Sequence, residues 1–143
     1  MQRFHFPLEH VRDFRARQLE MEEAKLEALH TERRALEDEW TRLEAETADT
    51  RNLLMVTGVA EAQDLAASDL YLRHLETAKK RHAARLADWR VRADKQQQAV
   101  VEGRRRVRLL EKLEERKRKE WQAAADREQE DLASELYLAG WKR

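Results

Sequence analysis

The chemically capable residues of this 143-residue chain are five histidines, abundant carboxylates and two dense basic runs. Their spacing decides what they can do. His5, His10, His30, His74 and His82 show no helical pairing with carboxylates that would close a metal site. There is no cysteine, so thiolate ligands and disulfides are excluded. Gly58, Gly103 and Gly140 are too scattered to cradle a phosphate, and no Ser, Thr or Cys nucleophile motif is present. The carboxylates are as abundant as a charged helix face requires and need no catalytic reading. The expectation is a non-enzyme without metal or cofactor. The runs Arg104-Arg105-Arg106 and Arg116-Lys117-Arg118-Lys119, with Arg108 and Lys112, have the charge to contact phosphates. Against that, Glu111, Glu114, Glu115 and Glu120 dilute them, stacking aromatics are missing, and the net charge is zero. They read as a helix face that answers an acidic arm, with no nucleic-acid partner.

The elements that position these residues are helical. Charged residues make up 41% of the chain, mean hydropathy is -0.95, and there is one proline. Such a composition, with apolar residues in regular register, reads as a coiled coil. Pro7 is expected at the first helical position, where its missing N–H costs nothing. Glu9 favours the first turn electrostatically. Thr57-Gly58 is the next strong break, preceded by the loosened run Leu53, Leu54, Met55, Val56. The expectation is helix one over about 7–56, a short connection over about 57–66 with room for helical turns, and helix two over about 67–138. Ser68 is the expected N-cap and Gly140 the terminator. The first residues, Met1-Gln2-Arg3-Phe4-His5-Phe6-Pro7, lack the apolar stretch of a signal peptide, and no segment is apolar enough to span a bilayer. A soluble cytoplasmic protein is expected.

Heptads are legible in both helices. Leu19, Leu26 and Trp40 share one position of helix one, with Arg33 interrupting; Leu29, Leu36 and Leu43 share the other. Helix two runs Leu72, Leu75, Lys79, His82, Leu86, Trp89, Ala93, Gln96, Val100, Gly103, Val107, Leu110. This is a seam with polar interruptions, expected to supercoil left-handedly. Charge selects the topology. From Glu9 to Glu46 there are 12 acidic and 7 basic residues; from Arg73 to Lys119 there are 17 basic and 7 acidic. Folding back near residue 60 sets the acidic arm on the basic one, whereas a parallel dimer sets like on like. The predicted fold is all-α: two long helices in an antiparallel coiled-coil hairpin, the second longer and overhanging beyond about residue 113. A helical extension without packing is marginal in water, so fraying is expected there.

The overhang holds Trp121, Leu132, Leu136, Tyr137, Leu138 and Trp141, apolar residues expected to lack an internal partner and to meet another chain. Trp40 and Trp89 sit at seam positions and are expected to pack inside the hairpin. Phe4, Phe6, Leu8, Val11 and Phe14 exceed what a helix start needs. They either pack on helix two near Leu110 and Leu113 or form a docking surface.

Phe4-His5-Phe6-Pro7-Leu8-Glu9, followed by Val11-Arg12 and Arg15, resembles the N-terminal pattern of the FliJ family, coiled-coil proteins of the flagellar type III export apparatus. Tyr71, Leu75, Ala78, His82, Leu86 and Trp89 are similar to that family's second-helix stretch of aromatic, Leu, Ala, His, Leu and Trp. The resemblance implies a protein like the central stalk of rotary ATPases. It would insert into the hexameric export ATPase ring, promote its assembly and activity, and link it to the cytoplasmic domain of the export gate protein. Export chaperones are implied as further partners, with a location at the cytoplasmic face of the inner membrane, held through partners only. The chain-end residues Phe4, Phe6, Leu8, Val11, Trp121, Leu132, Leu136 and Trp141 would engage the ring. The stripe Tyr71, Leu75, Ala78 and His82 would dock the gate, although Leu75 and His82 are also seam positions. Where some relatives carry tyrosines on helix one, this chain has Glu46 and Thr50. The rival expectations are the equivalent stalk of a virulence-type secretion system and an unrelated coiled-coil scaffold.

Overall fold

The computed structural model describes residues 2–56 and 62–142. It contains two helices, α1 (Glu9–Val56, 48 residues) and α2 (Ala62–Trp141, 80 residues), and no strand among the described residues. The helices pair antiparallel, the second being the longer, as their opposite charge requires. The chain divides into two compact units, one formed by residues 1–22 with 100–143 and the other by 23–99.

Several boundaries differ from expectation. Pro7 stands two residues before the first helical residue: the Glu9 amide donates to the Phe6 carbonyl at 3.1 Å, so Pro7 occupies a tight turn that feeds the helix. Its fixed φ suits that corner position. The first α1 bond runs from the Arg12 amide to the Leu8 carbonyl at 2.9 Å. α2 starts at Ala62, so residues 62–66 are helical and Ser68 lies within the helix, not at its cap. Ala62, Ala66 and Ala67 are the strongest helix formers, and Asp64 supplies the favoured first-turn charge. Gly140 does not terminate α2, which continues to Trp141 with Gly140 in helical backbone. Thr57, Gly58 and the rest of 57–61 lie outside the described residues.

In the unit of residues 23–99 the seam is assembled from the expected heptads. Leu36, Trp89 and Ala93 form its buried centre, with Leu29 and Leu86 packed against them. Two α2 rings donate to α1 backbone carbonyls across this seam. His82 Nε2 lies 2.6 Å from the Leu36 oxygen, and Trp89 Nε1 lies 2.7 Å from the Leu29 oxygen. A carbonyl only accepts, so His82 carries its proton on Nε2. The two contacts are one heptad apart on both helices. The flanking ion pairs repeat with them: Arg85 to Glu39 at 2.5 Å, and Arg92 to Glu32 through both carboxylate oxygens at 2.6 and 3.0 Å. The polar interruptions also have partners. Arg33 lies over the Trp89 ring at 5.3 Å and Lys79 over the Trp40 ring at 5.4 Å, while Trp40 packs tilted on His82 at 5.3 Å. Thr47, buried at the seam position one heptad after Trp40, satisfies its hydroxyl on the Leu43 carbonyl at 2.7 Å.

In the unit of residues 1–22 and 100–143 the pairing is looser. Val100 is fully buried, while Val107, Leu110 and Leu113 are half-buried. Gly103 brings α2 close to α1: a Cβ there would stand 3.2 Å from Leu19 Cδ1. Arg12 pairs with Glu114 across the helices, and this hydrogen bond raises the Arg12 pKa.

Trp89→Phe keeps the ring packing and removes only the N–H donor, so a loss of about 1 kcal/mol is expected. His82→Ala also opens a cavity and is expected to cost about 2–3 kcal/mol. Thermal denaturation followed by circular dichroism checks both. The arginine hydrogen bonds lower the Glu32 and Glu39 pKa values. Carboxylates depressed by folding stabilise above their unfolded pKa, and that contribution disappears as pH falls through the lower folded value. Stability should therefore drop on acidification below about pH 4.3. The drop should be smaller in the Glu32→Gln, Glu39→Gln double variant.

Candidate functional site

The residues singled out as docking surfaces fall into the two units, one set in each. In the unit of 23–99, the expected gate stripe does not form a single exposed face. Leu75 is 2% exposed and His82 3%, both enclosed by the helix pair. Ala78 is half-buried, and only Tyr71 is well exposed, at 42%. A partner can touch Tyr71 and the edge of Ala78 without separating the helices. Tyr71 donates its hydroxyl to Glu46 Oε2 at 2.9 Å and stacks on His74 at 6.2 Å. The hydrogen bond from its phenol to the Glu46 carboxylate raises the Tyr71 pKa. Glu46 thus takes up on α1 a position facing Tyr71, and its charge fixes the direction of the phenol.

The same unit holds apolar exposure that the stripe does not include. Met55 and Val56 end α1 at more than four-fifths exposed, and Leu65 and Leu70 are open on α2. The sequence signal for the first two was the consecutive apolar run at 53–56, which abandons heptad spacing. Beside the seam an open groove of about 730 Å³ is lined by Leu26, Trp40, Leu86 and Trp89, with Arg33 and Arg90 at its edge. No paired acid and base converge there, so its chemistry is that of contact. Its lining is made largely of seam residues, and heptad spacing alone does not show that one side of the seam stays open.

In the unit of 1–22 and 100–143, the N-terminal segment folds back along α2. Phe6 is buried at 4% exposure, and Phe4 packs on Trp121 with ring centroids 6.0 Å apart. The Trp121 Nε1–H donates to the Gln2 carbonyl at 3.2 Å, and the Arg118 guanidinium lies 4.9 Å from the Phe4 ring. Trp121 therefore has an internal partner, contrary to the expectation for an overhang starting at 113. Residues 2–6 belong to no helix or strand and lie along α2 beyond Glu114. Phe4 and Phe6 pack inward on this side, while Leu8, Val11 and Phe14 remain exposed. Beyond Ala125 every described residue of α2 is exposed: Leu132 at 53%, Leu136 at 73%, Tyr137 at 69%, Leu138 at 60% and Trp141 at 80%. The uncovered surface is thus Leu8 and Val11 with Leu132, Leu136 and Trp141, while Phe6 and Trp121 serve its foundation.

Among the described residues no group of His, Asp and Glu could hold a metal ion, and no helix is long and apolar enough to cross a membrane.

Spectrophotometric titration should show one of the two tyrosines ionising above the ordinary phenol range, and Glu46→Gln should return it to that range. Tyr71→Phe should abolish the shifted transition.

The profile of the Flagellar FliJ protein family matches residues 4–136, from the N-terminal Phe4 to within the exposed end of α2. No curated protein and no solved structure matches the chain. With two long antiparallel helices and a match over nearly its whole length, the chain belongs to the FliJ family, coiled-coil components of the flagellar export apparatus.

Proposed function

We propose that this protein is the stalk-like element of flagellar type III export, inserting into the hexameric export ATPase, regulating it, and linking it to the cytoplasmic domain of the export gate protein. The observation that carries the reading is the family match over residues 4–136, together with the uncovered apolar end of α2. Apolar residues exposed in a run on a long helix are costly to leave in water and suit a partner surface. In this reading Leu8, Val11, Leu132, Leu136 and Trp141 contact the ATPase, seated on Phe4, Phe6 and Trp121. Tyr71, with the edge of Ala78, contacts the gate; Leu75 and His82 hold the helix from which Tyr71 projects.

The mechanism is allosteric. A two-helix element placed within a six-fold ring meets each subunit differently, so it biases which interface closes. Such a bias requires differential contact with the two states of an interface. Export chaperones are further partners in this reading. The protein works at the cytoplasmic face of the inner membrane, held there by its partners.

The test is the ATP hydrolysis rate of the export ATPase of the same organism, with the full chain and with a chain ending at Ala125. Stimulation by the full chain and its loss on truncation supports the reading. Equal stimulation by both moves the contact away from the C-terminal end, and no stimulation by folded full chain overturns the reading. Leu136→Ser with Trp141→Ser should reproduce the truncation, whereas Tyr71→Ala should spare ATPase stimulation and weaken binding to the gate domain.

A further inference from the structure

The last two turns of α2 carry an unusual combination. Leu132, Ala133, Leu136, Tyr137, Ala139, Gly140 and Trp141 make more than half of the helix circumference apolar, at 100° per residue. Immediately before them, residues 126–135 hold five carboxylates against Arg127, and immediately after them come Lys142 and Arg143. Charge is therefore segregated along a short helix, acidic at one end and basic at the other, with the apolar face between. Nothing stands within 4 Å of where a Gly140 Cβ would be, so one side of that face is open to close approach.

This polarity discriminates among occupants. An anionic lipid surface or a nucleic acid would be repelled by Asp126, Glu128, Glu130, Asp131 and Glu135. A second copy laid parallel would set those same carboxylates beside their counterparts, which is unfavourable. A second copy laid antiparallel reverses the polarity. Centred on Leu136, it sets Leu136 against its mate and Leu132 against the open side of Gly140. Lys142 then falls beside Glu128 and Asp131 of the other copy. In an antiparallel pair each flank of a helix meets the same flank of its mate. Lys142, Glu128 and Asp131 share a flank, so these opposite charges meet on the correct side; Glu135, on the same flank, falls beside its mate and offsets part of that gain. Because the segment continues the long α2 helix, its helical nucleus is already formed.

We propose that the C-terminal turns of α2, residues 128–142, pair antiparallel with those of a second copy about Leu136, through the apolar face and the reciprocal contacts of Lys142 with Glu128 and Asp131. The pairing stands apart from the ATPase reading but uses the same end of α2. A copy held in a pair is withheld from any partner that needs Leu136 and Trp141. The contact is two-fold and self-complementary, so it closes on two copies and does not propagate into a fibre.

The absence of native cysteine makes the test clean. Leu136→Cys in the full chain should oxidise readily to a disulfide-linked dimer. Gln129→Cys, on the same face, should not, because its mate would lie about 21 Å away along the helix. Disulfides at both positions would mean parallel pairing and overturn the proposal. Sedimentation equilibrium of the unmodified chain should show a monomer–dimer equilibrium, and a pure monomer at about 100 μM overturns it as well. Lys142→Glu with Arg143→Glu should weaken the dimer on the order of tenfold, and adding Glu128→Lys with Asp131→Lys should restore it. Charge reversal without restoration rejects the antiparallel register. None of these readouts involves the ATPase, so failure here leaves the ATPase reading untouched, and failure of that reading leaves the pairing standing.

Discussion

In a protein made of two helices, the narrow seam between them is the whole core, and every other feature depends on holding its register. Apolar packing alone would tolerate a slide by one heptad, since leucine meets leucine again after seven residues. The His82 and Trp89 contacts with the Leu36 and Leu29 carbonyls work against any slide smaller than a heptad. Each donor is a ring N–H buried with its acceptor, and a buried donor left without an acceptor carries the full cost of its desolvation. A helix carbonyl already accepts its own backbone N–H and has a second lone pair to offer, so the ring donor is satisfied without disrupting α1. Sliding by one heptad would offer both rings carbonyls again, but it would take Trp40 from His82 and bring Trp89 to the level of Trp40. The register is therefore set by polar atoms and ring packing together.

The same logic explains why the seam tolerates residues that look wrong for it. Arg33 and Lys79 would each be costly as buried cations. Instead each lies across a tryptophan face at the margin of the seam, where its stem covers apolar surface and its charge stays near water. Trp40 is 36% exposed because it forms part of this margin, sandwiched with His82 on one helix and Lys79 above it. The Arg–Glu pairs outside contribute little individually and are screened by salt, but they act together on which arm meets which. Packing, stacking and charge agree on one alignment, which is the condition for a unique structure.

A seam that uses up its own apolar residues leaves function to what it does not cover. Tyr71 stays outside because it sits beside, not within, the heptad, and Glu46 orients it. At the other extreme, the N-terminal segment covers α2 at Trp121, and the described residues beyond Ala125 are all exposed. A protein of the flagellar export apparatus works by contact, and these uncovered stretches are where contact is cheapest to make.

The helical class, the two-helix topology and nearly all seam positions were legible in the sequence, because heptad spacing and the opposite net charge of the arms are local, additive signals that survive any detail of packing. From Leu72 to Leu110, every residue assigned to the α2 seam is buried or half-buried. The Phe-His-Phe-Pro start and the Tyr-to-Trp stretch carried the family in the same way. Tertiary structure alone decided the rest. Only the paired helices could show that Leu75 and His82 are enclosed while Tyr71 is free, since a stripe and a seam share the same spacing. Only the fold could give Trp121 a partner, because the Gln2 carbonyl and the Phe4 ring that meet it lie outside the helical pattern from which the overhang was reckoned. Helix ends were misjudged at Ser68 and Gly140 for a related reason. Capping preferences are worth about 1 kcal/mol, and a long helix runs past both positions, through Ala66 and Ala67 before Ser68 and Ala139 before Gly140.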